Sequence, residues 1–328
     1  MLTGTTNNSI KTEASFSSIF SASCSSYDSF HHYDVVETLI DAHPANHVVQ
    51  AKSKITGDSC FLCLRHGEYS AQLDKAISDI NRKFIPSTPL TWIVQKANNF
   101  YIASKTIENI MDIDDIVDEL GFTPYHFGRI SVLSHFLGEY DRHLGNVIIS
   151  RQSENILTGD KIDNAEALHD ACLLNAQLVS EQSEDEGDSL EPDFSVPELD
   201  LTDFNTKAIP EPFSKEDVFA NHWNFPPAIV NHFQYKKEQA QTLQMIASTP
   251  FSEFASILHN AVTASKRVEH LAFFEKLLEH NMIWNPTVRE KMKAQLSHPE
   301  TFPKVSEIGD SIKLLEKRHQ RYCALNNK

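Results

Sequence analysis

The pattern that most constrains the fold lies in the middle of the chain. Between Phe127 and Tyr140, apolar residues recur at the spacing of a helix with one buried face. The polar segment Asp141–Asn146 follows, and then the β-branched run Val147–Ile149, which is typical of a buried strand. A second strand, after a turn predicted at Gly159–Asp160, is expected to end at Asp163. The order is therefore helix, polar loop and hairpin, with a carboxylate at the end of the hairpin.

Asp141, Asn146 and Asp163 have the spacing of a phosphoryl-transfer site. In such a site the first Asp accepts the proton of the attacking hydroxyl, while the Asn and the second Asp hold the magnesium ions that bridge the ATP phosphates. The alternative is that Asp141 lies in a surface turn and that Asp163 caps a helix. The helix before the loop and the strand after it favour the active-site interpretation.

The segment Asp141-Arg142-His143-Leu144-Gly145-Asn146 resembles the catalytic loop of the phosphatidylinositol 3- and 4-kinases and their relatives among atypical protein kinases. Those families read Asp-Arg-His-x-x-Asn, followed by an Ile-Asp metal motif that Ile162-Asp163 matches. The sequence is also similar to remote kinases that intracellular bacteria inject into host cells. The resemblance covers roughly residues 45–170. It implies an α+β, two-lobed, protein-kinase-like fold, with a small antiparallel-sheet lobe and a mostly helical large lobe.

The small lobe can be placed upstream of this motif. His47–Lys52 and Cys60–Arg65 have the composition of two strands around a turn. Leu73–Phe84 has the apolar spacing of a helix with one buried face, and it corresponds to the regulatory helix of a kinase. Leu90–Val94 and Asn99–Ala103 predict a further strand pair.

The nucleotide-binding residues are less clear than the catalytic loop. Kinases contact the α- and β-phosphates through a Lys on the third strand, and here Arg65 best fills that position, with Lys54 as the alternative. Arg binds phosphate through its fork but does not simply replace Lys. Arg65 is equally well explained as a solvated residue at a strand end. A glycine-rich phosphate loop is not visible, because Gly57 stands alone.

Two further features complete the predicted nucleotide site. Residues 104–107 are expected to form the hinge between the lobes, so Ser104 and Lys105 are assigned to nucleotide binding. The acidic partner on the small-lobe helix is expected to be Asp74, with Asp79 as the weaker choice. Either carboxylate taken singly could be a solvated surface group.

The charge of the chain is concentrated in one segment. The formal net charge is −16, and residues 162–206 contain thirteen Asp or Glu and no Lys or Arg. Such a composition predicts a disordered acidic insert, where kinases carry the activation segment. It is best interpreted as a solvated linker; the alternatives are a cover over the active site or a decoy for basic substrates. The acidity argues against nucleic acid as a partner.

Cysteine and hydropathy patterns indicate the compartment. The five cysteines are scattered, and Cys60 and Cys63 lie inside an apolar strand pattern, which favours buried free thiols over a zinc or redox site. No disulfide framework is implied, so we expect a soluble protein of a reducing cytosol. The resemblance to injected bacterial kinases implies in addition that the protein is delivered into a host cell. Apolar runs are too short for a transmembrane segment.

The C-terminal third is predicted to be helical, starting from an N-cap at Ser214. Lys and Arg recur on the last helix and around the small-lobe helix. An inositol polyphosphate is the candidate activator for such cations, because each phosphate accepts several charge-assisted hydrogen bonds. Scattered solvated charges are the simpler explanation. The residues of this candidate polyanion site are His66, Lys75, Arg82, Lys83, Lys313, Lys317, Arg318 and Arg321.

The predicted organisation is a disordered leader at 1–30, a small lobe at 31–104, a large lobe at 105–320 with the acidic insert at 178–212, and a tail at 321–328. We expect an ATP-dependent phosphotransferase that uses Mg²⁺ or Mn²⁺ and acts on a protein substrate or host factor. A phosphoinositide or inositol kinase is the close alternative, and a nucleotide-binding pseudokinase is the third. Protein is ranked before lipid because the region after the metal motif, where a lipid kinase needs basic residues for anionic headgroups, is acidic.

Overall fold

The computed structural model describes residues 27–40, 47–65, 67–111, 121–139, 142, 144–164, 167–168, 214–279, 286–298 and 307–327. Its strands are β1 (Asp28–Ser29), β2 (Tyr33–Ile40), β3 (His47–Ser53), β4 (Ser59–Arg65), β5 (Thr91–Lys96), β6 (Asn99–Lys105), β7 (Ile110–Met111), β8 (Thr123–Tyr125), β9 (Val147–Ser153) and β10 (Ile156–Lys161). Its helices are α1 (Glu68–Phe84), α2 (Phe127–Leu137), α3 (Lys215–Phe219), α4 (Pro227–Val230), α5 (Phe233–Ser248), α6 (Phe251–Ala261), α7 (Lys266–Glu279), α8 (Pro286–Ser297) and α9 (Ile308–Asn326).

The small lobe is one sheet with one helix. Its strand order is β1-β5-β6-β4-β3-β2, and all neighbours are antiparallel except β1 and β5. The four predicted strands are present, and β2, which the sequence pattern did not reveal, adds the outer strand. β1 lies inside the predicted leader, so part of that segment belongs to the sheet. Gly57 lies in the turn between β3 and β4 at φ +77°, a conformation that glycine adopts without strain.

Helix α1 begins at Glu68, earlier than the predicted Leu73, and ends at Phe84 as expected. Leu73, Ile77, Ile80 and Phe84 are buried in the main core, which they share with the large lobe. The helix therefore belongs to both lobes: it is covalently part of the sheet domain, and one of its faces packs on the helical domain.

The large lobe surrounds α2 and the β9–β10 hairpin. Gly159 and Asp160 lie within β10, so the predicted turn there is wrong; the turn is at Glu154–Asn155. The glycine has a packing role instead, because a Cβ at position 159 would lie 3.1 Å from the ring of Phe127 on α2. A second, four-stranded sheet is completed by β7 and β8, in the order β7-β9-β10-β8.

The C-terminal helices enclose α2. Ser214 forms the predicted N-cap of α3, in a capping box with Asp217. Helix α9 continues to Asn326 and buries Tyr322 and Leu325, so the residues expected to form a tail are mostly a packed helix. Arg318 of the same helix is buried and donates hydrogen bonds to the carbonyl oxygens of His135 and Phe136, at 3.1 and 3.0 Å.

The chain therefore has the predicted α+β architecture of two lobes, a small lobe built on a mostly antiparallel sheet and a mostly helical large lobe. In the part of the chain that the structure describes, every helix is too short or too polar to cross a bilayer.

Candidate active site

Arg65 joins the two lobes at the end of β4. Its Nε and Nη2 atoms donate to Asp74 Oδ2 on α1, at 2.8 and 2.5 Å. Nη2 also donates to Asp163 Oδ1, beyond the end of β10, at 2.9 Å. Arg65, the predicted phosphate-binding residue, is therefore in direct contact with the predicted helix acid, Asp74, and with the predicted metal ligand, Asp163.

Burial strengthens these electrostatic interactions. The side chains of Arg65 and Asp74 are almost completely buried, whereas the side chain of Asp163 is 29% exposed to solvent. Burial alone lowers the pKa of Arg65, but the carboxylates of Asp163 and Asp74 raise that pKa well above its ordinary value. Arg65 therefore carries a permanent charge, and the solvated strand-end interpretation is wrong. The remaining nitrogen, Nη1, donates to Cys63 Sγ at 3.0 Å, a weak acceptor.

Asn146 and Asp163 are held at the same end of the β9–β10 hairpin. The N–H of Ile162 donates to the carbonyl oxygen of Asn146 at 3.0 Å, so the residue before Asp163 is fixed to Asn146. Asp163 has φ +48°, in the left-handed region that Asp tolerates better than most residues. Amide and carboxylate oxygens are ligands that suit Mg²⁺, and the partial exposure of Asp163 leaves its carboxylate accessible. Both residue types suit a metal ion, and Asn146 is 6% exposed, so the metal-binding role of the two stays a prediction.

The predicted base, Asp141, and the neighbouring His143 lie outside the described residues. Arg142, which lies between them in the chain, donates from Nε to the carbonyl oxygen of Glu139 at 2.7 Å. The role of Asp141 stays a prediction from the sequence.

A buried ion pair supports the backbone of Asp163. The Nζ atom of Lys161 lies 2.6 Å from Glu139 Oε1, and both side chains are only 2% exposed. The same ammonium group donates to the carbonyl oxygens of Ile162 and Asp163 and lies 5.4 Å from the ring centre of Trp223. Burial raises the pKa of Glu139 in spite of Lys161. Lys161 thus fixes two successive peptide groups at the proposed metal ligand.

We expect Lys161→Met to destabilise the protein by about 3–5 kcal/mol, because it leaves the carboxylate of Glu139 buried without its cation. Urea unfolding measures the change. The double variant Glu139→Leu/Lys161→Met should be more stable than Lys161→Met, since it removes the orphaned charge. A single variant as stable as the parent protein would contradict the importance of the pair.

Other residues assigned to the nucleotide lie elsewhere. Lys54 is in the exposed β3–β4 turn, where it contacts Asp34 at 3.2 Å and the carbonyl oxygen of His31 at 2.9 Å. This turn is at the opposite end of β4 from Arg65, about 20 Å away at the rise of a β-strand. Lys54 is therefore not the phosphate-binding cation. Ser104 and Lys105 lie in β6 rather than in a hinge, so their assignment to the nucleotide stays a prediction.

Most of the candidate polyanion residues that the structure describes are engaged within the protein itself. Arg318 is buried on backbone carbonyl groups, which contradicts its assignment. The other described contacts of these residues are mostly to acids within the protein, and His66 lies outside the described residues. Lys75 contacts Asp79, Lys83 contacts Glu253, Lys313 contacts Asp310, and Arg82 donates to the carbonyl oxygen of Thr88.

Sequence reasoning missed Asn164, Glu139 and Lys161. Asn164 follows Asp163 directly and is 2% exposed, in contact with α1. Its position next to the metal motif was the available indication. The pairing of Glu139 with Lys161 had no such indication, because a lone charged residue beside a motif is usually solvated.

Comparison with known proteins gives only distant similarities. No protein-family model matches the chain, and no curated protein matches it. Among solved structures, the chain is similar to the Helicobacter pylori proinflammatory kinase CtkA, at 13% identity and a TM-score of 0.44, over 88% of this chain and 97% of that chain. It is also similar to Rad53 1-466 in complex with AMP-PNP, at 11% identity and a TM-score of 0.27, over 41% of this chain and 39% of that chain. Neither similarity is strong enough to assign an activity.

Proposed function

We propose that this chain is an ATP-dependent kinase that uses Mg²⁺ or Mn²⁺. The observation that carries the proposal is the contact of Arg65 with both Asp74 and Asp163. Arg65 lies on β4, the third of the consecutive antiparallel strands β2, β3 and β4. A kinase positions the phosphates with a cation on this third strand, which pairs with an acid on the small-lobe helix and lies beside a metal-binding acid. The spacing of Asp141 and Asn146 supplies the remaining groups.

Each residue has a defined role in this proposal. Mg²⁺ bound with ATP would neutralise the charge that develops on the transferred phosphoryl group. Asn146 and Asp163 would hold the metal, and Asp141 would accept the proton of the attacking hydroxyl. Arg65 Nη1 would exchange its weak acceptor, Cys63 Sγ, for a phosphate oxygen, which accepts a much stronger hydrogen bond.

The proposed substrate is a protein hydroxyl group, with an inositol lipid as the alternative. The support for protein is the acidic composition of residues 162–206, which would repel an anionic headgroup. Action inside a host cell is proposed only from the catalytic-loop motif, which resembles the phosphatidylinositol kinase-like families and the injected kinases of intracellular bacteria.

A pseudokinase that binds nucleotide without transfer is the second candidate, and a specific observation favours it. The first hairpin of the sheet, where kinases carry the glycine-rich loop, is formed by β2 and β3. Its connection is residues 41–46, which contain no glycine and lie outside the described residues. Without glycine, backbone N–H groups approach phosphates less closely.

The proposal is tested by incubating the protein with γ-labelled ATP and Mg²⁺ or Mn²⁺, with and without host-cell extract, and separating labelled protein from labelled lipid. We expect label in protein, and none with the Asp163→Asn variant. Label in lipid would select the alternative substrate. Metal-dependent ATP binding without any transfer would select the pseudokinase, and the absence of both would overturn the proposal.

Arg65→Lys should raise the KM for ATP about tenfold and leave the fold intact. The lysine keeps a positive charge between Asp74 and Asp163, but a single ammonium cannot reproduce the fork of Nε and Nη2 together with a third donor. Initial rates at varied ATP concentration measure the change, with urea unfolding as the check on the fold. An unchanged KM would mean that Arg65 holds the lobes together without contacting nucleotide.

A further inference from the structure

The residue after Asp163 contacts α1 through its whole side chain. Asn164 Nδ2 donates to Ser78 Oγ at 2.9 Å and to Asp74 Oδ1 at 3.3 Å, while its Oδ1 accepts from Asn81 Nδ2 at 2.8 Å. Its backbone N–H also donates to Asp74 Oδ1, at 3.3 Å. Both the donor and the acceptor ends of the amide are therefore used.

The partners of Asn164 form a polar stripe on an otherwise apolar face of α1. Asp74, Ser78 and Asn81 are spaced four and then three residues apart, so they lie on one side of the helix. Each is at most 3% exposed. Buried polar groups are costly unless they are hydrogen-bonded, so this stripe requires a partner of the shape and polarity of Asn164.

The contacts close a ring around the site. Asp74 uses Oδ2 for Arg65 and Oδ1 for Asn164, and Arg65 continues to Asp163, which is covalently joined to Asn164. A displacement of α1 would therefore move both the cation and the backbone of the proposed metal ligand.

Helix α1 is itself held by the C-terminal helical region. Gln72 Oε1 accepts from the N–H groups of Thr263 and Ala264, at 2.7 and 2.9 Å. Glu269 accepts from the N–H of Ser70 at 3.0 Å, at the N-terminal turn of the helix. These contacts hold α1 in place on the large lobe, and the hydrogen bonds of Asn164 in turn hold the segment after β10 to α1.

We infer that Asn164 is a positioning residue, which sets the carboxylate of Asp163 for metal and nucleotide by fixing its backbone to α1. This inference rests on the proposed function. Groups that orient a metal ligand typically change metal affinity by about 10- to 100-fold when they are removed. Asn164 touches neither the phosphates nor the metal in this role and acts through its neighbour.

The test uses Asn164→Leu, which keeps the branching and the number of heavy atoms of the side chain and removes its three side-chain hydrogen bonds, while the backbone N–H bond to Asp74 stays. The Mg²⁺ concentration that gives half of the ATP-dependent thermal stabilisation should rise about 10- to 100-fold. The matched control is Leu325→Ala, which removes buried apolar contacts in α9 and should lower the melting temperature without changing that Mg²⁺ concentration. If Asn164→Leu does not fold, Asn81→Ala removes one of the three side-chain contacts and should raise the same Mg²⁺ concentration by a smaller factor.

The outcomes separate the inference from the proposed function. A parent protein that responds to ATP and Mg²⁺, with an Asn164→Leu or Asn81→Ala variant that melts earlier but has the parent's Mg²⁺ dependence, would show that Asn164 is merely structural and would overturn the inference alone. A parent protein that shows no metal-dependent stabilisation by ATP would overturn the proposed function, and the inference with it.

Discussion

Asp141→Ala should lower kcat by about 10²- to 10⁴-fold and leave the binding of ATP nearly unchanged. A residue that acts on the proton of the attacking hydroxyl contributes to the chemical step and has little contact with the nucleotide in the ground state. Initial rates give kcat and KM, and thermal stabilisation by ATP and Mg²⁺ gives an independent measure of binding.

The control for this variant is Asp310→Ala, which removes a half-exposed carboxylate that contacts Lys313 at 3.1 Å on the surface of α9. It should keep both kcat and KM. If Asp141→Ala mainly weakens ATP binding while kcat at saturation is kept, Asp141 is a metal ligand or a structural residue and its assignment as the base is wrong.

Local periodicity predicted the part of the fold that lies around the catalytic loop. Helix α2, strand β9 and the small-lobe strands β3 to β6 each have a pattern that repeats over neighbouring residues, and such patterns are visible in one sequence. The second strand of the hairpin was expected to end at Asp163, whereas β10 spans Ile156–Lys161. The turn at Gly159–Asp160 was predicted wrongly because glycine is common in turns. Here the glycine is needed for the close approach of β10 to Phe127.

Long-range polar contacts explain what the sequence could not predict. Arg65 and Asp74 are close in sequence, and the expected topology assigned them as partners. The structure places these two side chains in contact. Asn164 and Asn81 are 83 residues apart, and an asparagine does not indicate which distant group satisfies its amide. The role of Asp141 as the base comes from motif spacing alone, so the kinetics of the Asp141→Ala variant are its direct test.

Asp163→Asn should abolish metal-dependent binding of ATP. The substitution removes the negative charge of a proposed metal ligand, and with it most of the attraction for a divalent cation. With ATP and Mg²⁺ at about 100 times the parent's Kd, the parent protein should gain roughly 2.7 kcal/mol of stability and the variant close to none. Thermal-shift or urea-unfolding measurements, with and without Mg²⁺, provide the comparison.

The choice of Asn at this position isolates the charge. Asn tolerates the left-handed backbone at φ +48°, and its oxygen can still accept the hydrogen bond from Arg65, whereas Ala would add backbone strain of about 1–2 kcal/mol. Arg65 also keeps its two bonds to Asp74, so the ligand-free variant should melt close to the parent. Asp163→Ala should lose the ATP response as well, with a somewhat lower melting temperature.

Asp160→Asn is the matched control, because Asp160 lies on the same strand end but accepts a hydrogen bond from Ser87, at 2.6 Å, and an amide oxygen can replace that acceptor. This control should retain the full response to ATP and Mg²⁺. An undiminished response in Asp163→Asn and Asp163→Ala would show that Asp163 does not hold the metal. In that case, the contact of Asp163 with Arg65 would serve only to join the two lobes, and the kinase proposal would lose the geometry on which it rests.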